Sequence, residues 1–330
     1  MQFVIWIFVG LTTTRHKDFV MINKRYPAGI MSTCCVPWDE HGRFAEPIFR
    51  RGVKRALTGT QHLYVFGTAG EGYAVTDGQF DAIIAAFAEE MRNGRAEPMV
   101  GVIELSLGTI VERIQRCRDA GVSRFQVSLP SWGALSDREL FGFFDQVCGR
   151  FPDCQFMHYN LPRTKRIVTG KEYARLADSH PNLVATKNCG DSLSHLQSLL
   201  EDAPQLQHFL SEAGYVYASL FGECGILASF VMNWPKLWAL FEAGKRHDVD
   251  ALVAIQREIS IVTQTLFETV PDGRIDGSYD KLFEKLYDPE FPLRLLPPYV
   301  GSSDGEFHAF VKLLTERLPD WIPGVGRPNG

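Results

Sequence analysis

The chain has 330 residues, 45% of them hydrophobic and 22% charged, with a formal net charge of −5. That composition allows a sizeable core in one large domain or two ordinary ones. The small negative charge suggests neither a polyanion-binding face nor a disordered acidic tail. Seven cysteines (Cys34, Cys35, Cys117, Cys148, Cys154, Cys189 and Cys224) are scattered, odd in number and without a Cys-x-x-Cys pair. A disulfide framework or zinc site is therefore not indicated, and reduced, buried thiols of a cytoplasmic protein are expected.

The chain opens on an apolar run, MQFVIWIFVGL, which lacks a basic leader and is too short to span a bilayer. Residues 1–25 are read as an extension outside the barrel, with a signal anchor as the alternative. From about residue 28 onward, short apolar runs alternate with helical stretches. MSTCCV (31–36) reads as the first strand and 46–58 as a helix; HLYVFG (62–67) is the second strand, GTAGEGYAVT its loop, and 77–92 a helix. The unit recurs with strands at 98–103, 124–129, 155–160, 182–187, 207–211 and 224–229. Helices are expected near 106–120, 136–149, 170–179, 191–202, 213–221 and 235–245. Strands this short and continuously apolar are buried on both faces. Eight βα units predict a closed (β/α)8 barrel over 26–246. An open doubly wound sheet competes, but no Gly-x-Gly-x-x-Gly follows the first strand. Residues 247–330 are read as a helical extension, with helices at 247–270, 277–287 and 304–318, and the tail WIPGVGRPNG is expected to fray.

Active sites of such barrels sit at the C-terminal ends of the strands. Lys187 closes NLVATK, and period-2 alternation turns it inward if Leu183 and Ala185 also face in. Desolvation there lowers the amine's pKa and leaves it free to attack a ketone; a solvated strand-end lysine is the other possibility. Tyr159, in HYNLP, faces opposite His158. Its phenol suits proton transfer beside an amine, or else it is a core tyrosine with a satisfied hydroxyl. In Gly67-Thr68-Ala69-Gly70-Glu71 small residues let backbone N–H groups converge on an anion such as a 2-oxo acid carboxylate. An ordinary tight turn would have the same composition.

The ordered set GTAGE with Thr76, then YNLP, then a strand ending in Lys187 and Gly190-Asp191 resembles the dihydrodipicolinate synthase / N-acetylneuraminate lyase family. VPWDEHG (36–42), GECGILAS (222–229) and RLLPPYVGSS (294–303) are similar to further family segments, and the resemblance covers residues 28–318. It implies a Schiff base on Lys187, acid–base work by Tyr159, and a proton relay through Thr68. It also implies that the Gly67–Gly70 loop, through the amides of Thr68 and Ala69, holds the carboxylate of pyruvate, with Gly190 and Ile226 lining the site. No metal or organic cofactor is implied. The partners implied are a 2-oxo acid, an aldehyde and other copies of the chain in a tetramer or dimer.

Departures bear on the substrate. The family's synthases carry two hydroxyl residues where this chain has Thr68 and Ala69, and a tyrosine crossing to a neighbouring subunit where it has Pro130-Ser131-Trp132. Their substrate arginine lies two residues after the motif proline; here Thr164 occupies that place, and Arg163 or Arg166 substitutes only if the loop is rebuilt. Pro-x-Trp is similar to the hydratase-aldolases of aromatic enones, so Trp132 and Arg163 are taken as substrate contacts. The expected activity is a class I aldolase or lyase. The alternatives are the synthase proper and a binding or regulatory protein that has lost catalysis, against which the joint presence of Lys187, Tyr159 and Thr68 argues. A phosphate-binding barrel ranks last because the loop SEAGY (211–215) is poor in glycine.

Overall fold

The structure is a computed structural model and describes residues 23–323 except Asp191 and Asp272. Its strands are β1 (Ile30–Cys34), β2 (His62–Val65), β3 (Met99–Gly101), β4 (Arg124–Val127), β5 (Gln155–Asn160), β6 (Leu183–Asn188), β7 (Gln207–Leu210) and β8 (Gly225–Ala228). They run parallel in chain order, and β1 pairs with β8 to close the barrel. The helices between them are α1 (Glu46–Gly59), α2 (Asp77–Asn93), α3 (Leu107–Asp119), α4 (Asp137–Phe144), α5 (Gly170–Ser179), α6 (Leu193–Asp202) and α7 (Glu212–Ala218), with α8 (Trp234–Lys245) after the last strand. Capping boxes fix several starts: Thr76 with Gln79, Ser136 with Glu139, and Thr169 with Glu172. The helix expected over 136–149 is α4 followed by a π turn, Asp145–Gly149.

Alternation sorts the strand residues into two cores. Met31, Tyr64, Met99, Met157, Ala185, Phe209 and Leu227 form the barrel interior. Ile30, Val65, Phe125, Phe156, Leu210 and Ile226 join the helices outside. β6 breaks step once: Phe156 pairs with Leu183, but Met157 pairs with Ala185. The extra residue is a bulge. It turns Leu183 outward, against expectation, and puts Val184 inside, while Ala185 and Lys187 keep the inward phase.

Beyond the barrel lie α9 (Val249–Thr269), α10 (Asp276–Lys285) and α11 (Asp304–Arg317). Their residues Val262, Leu282, Phe310 and Leu314 belong to the same apolar cluster as the outer strand faces. The tail does not fray at its start: Trp321 is buried, and its indole N–H donates to Glu258 at 2.7 Å. The rest of the tail, 324–330, lies outside the described residues. So does most of the N-terminal extension, residues 1–22. Lys24 and Arg25, placed in that extension from sequence, bind the barrel instead. Lys24 Nζ donates to the carbonyls of Leu206 and Glu223, and Arg25 to those of Ala177, His180 and Leu183. Among the described residues no helix is long and apolar enough to cross a membrane.

Candidate active site

Tyr159 and Lys187 are register partners on the adjacent strands β5 and β6. The lysine amine lies 3.7 Å from the centre of the Tyr159 ring, and Lys187 is 4% exposed. Burial drives its pKa below the ordinary 10.5, and the Arg163 charge pushes the same way; Cys189, Asp276 and Asp280 oppose it. Desolvation of this kind favours the neutral, nucleophilic form of an amine over the ammonium. The Tyr159 hydroxyl shares a 3.2 Å hydrogen bond with Thr68 Oγ1. Burial raises the phenol's pKa well above 10, which favours its protonated form. His158, one residue before, faces outward and pairs with Tyr173 at 2.6 Å.

The glycine-rich loop is shaped by two non-glycine residues in the left-handed region, Phe66 (φ 65°) and Glu71 (φ 57°). Such conformations are rare and persist where surroundings enforce them. Between them, the N–H groups of Thr68, Ala69 and Gly70 donate to no acceptor among the described residues, as an anion nest requires. Gly70 packs tightly: a Cβ there would stand 2.7 Å from the Phe66 nitrogen. Glu71 is not a ligand group but an anchor. Its carboxylate accepts from Trp38 Nε1 at 2.9 Å, Lys281 Nζ at 2.6 Å and the Leu296 N–H at 2.7 Å.

Thr68 also forms part of the wall of a cavity of about 310 Å³, whose other walls include Tyr73, Leu105, Leu129, Arg163 and Tyr299. Arg163 donates to Asp276 Oδ1 at 2.9 Å, so the displaced arginine reaches the site with its charge already partnered. Arg166 is held by Leu135, Asp137 and Glu172, and Thr164 lines the cavity with its hydroxyl tied to Leu161 O. Two residues assigned from sequence stand elsewhere. Ile226 faces the outer core because the β8 pleat turns Leu227 inward. Trp132 is 85% exposed and Ser131, not Trp132, lines the cavity. Gly190 follows β6 in the loop beside His195.

Four contributors were missed from sequence. Tyr64 lies inside the barrel and takes a hydrogen bond from Lys187 Nζ at 2.8 Å. Cys189 directs its thiol to Tyr159 Oη at 3.7 Å. Ile275 and Asp276 reach the mouth from the C-terminal helices. Tyr64 carried the only local signal, an inward phase on β2; the others depend on long-range packing. Among the described residues no group of three or more His, Cys, Asp or Glu side chains is placed to hold a metal ion.

A buried amine beside a phenol, a threonine hydroxyl and unpaired loop amides at the mouth of a parallel barrel are the groups that imine chemistry on a 2-oxo acid would call for. The chain belongs to the dihydrodipicolinate synthetase family, which it matches over residues 26–271. It is similar to a 4-hydroxy-tetrahydrodipicolinate synthase of Exiguobacterium sibiricum, 22% identical over 80% of this chain and 91% of that one. With the synthase of another Exiguobacterium species it is 23% identical over 54% of this chain, and the match spans only 60% of that relative's length. Its fold is that of YagE, a prophage protein of Escherichia coli K12, with a TM-score of 0.77 at 20% identity over 88% of this chain and 98% of the other.

Proposed function

We propose that this protein is a Schiff-base-forming class I aldolase or lyase that joins or cleaves a carbon–carbon bond between pyruvate, or a related 2-oxo acid, and an aldehyde. The observation that carries the reading is the buried Lys187 amine, lowered in pKa and seated on the Tyr159 ring. The neutral amine attacks the ketone carbon and expels its oxygen as water. The protonated imine then draws electrons from C3, which becomes a nucleophilic enamine towards the aldehyde. Tyr159, with Thr68 at 3.2 Å, supplies and removes the protons these steps require. The free amides of Thr68 and Ala69 suit the 2-oxo acid carboxylate, and the structure of YagE contains pyruvate.

The aldehyde partner is read as bulky and apolar or aromatic. Leu105, Leu129, Tyr73 and Tyr299 line the cavity, and Tyr73 meets Tyr299 edge-on at 5.3 Å. The cavity's arginine is neutralised by Asp276, and Ser131 and Trp132 cannot replace a second relay phenol. These features argue against efficient use of aspartate semialdehyde, whose carboxylate needs a free cation. The protein is further read as a cytoplasmic homo-oligomer, dimer or tetramer, with the exposed Trp132 available to an interface. The test compares kcat/KM for aspartate semialdehyde with aromatic and sugar-acid aldehydes, each with pyruvate. The semialdehyde is expected to be slower than the best partner by at least about 10²-fold, the loss typical of a missing proton-transfer group. A semialdehyde rate above all others would make the protein a synthase proper.

A further inference from the structure

Tyr64 sits on β2 with its ring turned up towards the mouth. Gly67 makes room for it: a Cβ on Gly67 would lie 2.6 Å from the ring. The phenol is buried, and Lys187 Nζ donates to its oxygen at 2.8 Å while lying 4.7 Å from its ring centre. The amine is therefore flanked by two phenols, Tyr159 on β5 and Tyr64 on β2. Only the first is linked to Thr68 and the cavity wall. Behind Tyr64, its register partner on β1 is Thr33, whose buried hydroxyl lies close enough to the phenol to oppose the burial-driven rise in its pKa.

We propose that Tyr64 is a further catalytic residue, whose oxygen accepts one N–H of the Lys187 amine and later the N–H of the protonated imine. The inference rests on the Schiff-base reading of Lys187. An amine that gives an N–H to Tyr64 leaves its lone pair for the substrate. When the nitrogen attacks the 2-oxo carbon, a C–N bond forms and the carbonyl π pair moves to oxygen. The nitrogen's surplus proton passes to that oxygen by way of Tyr159, a second proton from the Tyr159 side completes water, and the nitrogen lone pair forms the C=N bond as the C–O bond breaks. The imine, once protonated, keeps a single N–H, and Tyr64 Oη is placed to accept it. In a water-poor site a fixed acceptor at a developing cation stabilises it without reorganisation. Thr33 gives the Tyr64 O–H somewhere to point, so that the oxygen remains an acceptor.

The experiment uses Tyr64→Phe, which retains the ring and removes the oxygen. Borohydride trapping of the pyruvate adduct is followed in time by intact mass. Trapping and kcat should slow by about 10²-fold, the usual effect of removing one preorganised polar partner, while KM for pyruvate stays within a few-fold because the loop amides are untouched. The acid limb of kcat/KM should move to lower pH, because the ammonium loses an acceptor. A ring that merely fills the barrel would leave rate and limb as in the wild type, and that result overturns the inference. Should Tyr64→Phe fail to fold, Thr33→Val decides instead: slower trapping supports the inference and a wild-type rate overturns it. A wild-type enzyme that traps no 2-oxo acid removes the Schiff-base reading and this inference together, whereas a wild type that traps and a Tyr64→Phe variant that matches it removes this inference alone.

Discussion

Tyr159 and Lys187 meet because the pleat brings them to one level of the barrel, where both side chains are buried. Tyr159→Phe keeps the ring under the amine and removes the proton carrier. Its kcat should fall by about 10²–10⁴-fold, with the far-ultraviolet spectrum and melting temperature near those of the wild type. An undiminished rate in stopped assays would assign the proton transfer to another group. These residues were legible because unusual side chains at strand ends stand out against apolar runs. Tyr64 was not, since its inward phase on β2 is shared by any core tyrosine, and its distance to Lys187 is what singles it out. Ile226 was misplaced by a one-residue error of phase, which in a strand exchanges inside for outside. Trp132 shows that a residue type alone does not fix which way a loop carries it.

The Gly67–Gly70 loop depends on an element two hundred residues away. Lys281 on α10 is buried against Glu71 and also donates to Arg294 O at 2.6 Å. Gly277, at the start of the same helix, approaches Ala69 so closely that a Cβ would stand 3.0 Å from its carbonyl oxygen. Lys281→Met removes one partner of a buried pair and leaves a carboxylate uncompensated, which costs on the order of 3–5 kcal/mol. The variant should melt well below the wild type and show a raised KM for pyruvate, since the loop loses its support. Adding Glu71→Gln should recover part of the stability, because the uncompensated charge is then gone. A Lys281→Met protein as stable as the wild type would show that the ion pair does not hold the loop. The loop's shape was readable from its glycines. Its anchor was not, because Glu71 reads locally as part of the anion nest, and Lys281 lies on a helix whose inward face depends on how the C-terminal region packs.

Across the molecule the strand and helix rhythm was the most legible feature, because eight repeats of one unit average out local errors of boundary. The β6 bulge, the buried Trp321 and the binding of Lys24 and Arg25 at the barrel arise from packing that no periodicity encodes. The same packing buries two imidazoles. His158 hydrogen-bonds to Tyr173, and His208 to Thr186 at 2.7 Å and the Ala203 carbonyl at 3.0 Å. Burial pushes both pKa values down to about 3 from the ordinary 6.5. Between those values the unfolded chain binds protons that the folded one refuses. Stability should therefore fall as pH drops from 6.5 towards 3, by roughly 1.4 kcal/mol per pH unit for each histidine. Urea unfolding at pH 7, 6, 5 and 4 measures this, and His208→Gln should flatten the slope by about one proton; an unchanged slope would place the acid sensitivity elsewhere.

The proposed chemistry turns on one bond, between Lys187 Nζ and the carbonyl carbon of a 2-oxo acid. Its most direct test is peptide mapping by mass spectrometry after incubation with pyruvate and borohydride. A single N-(1-carboxyethyl) adduct is expected on the peptide carrying Lys187, absent from Lys187→Ala, which should retain the fold. An adduct at a different lysine, or labelling undiminished in Lys187→Ala, would contradict it.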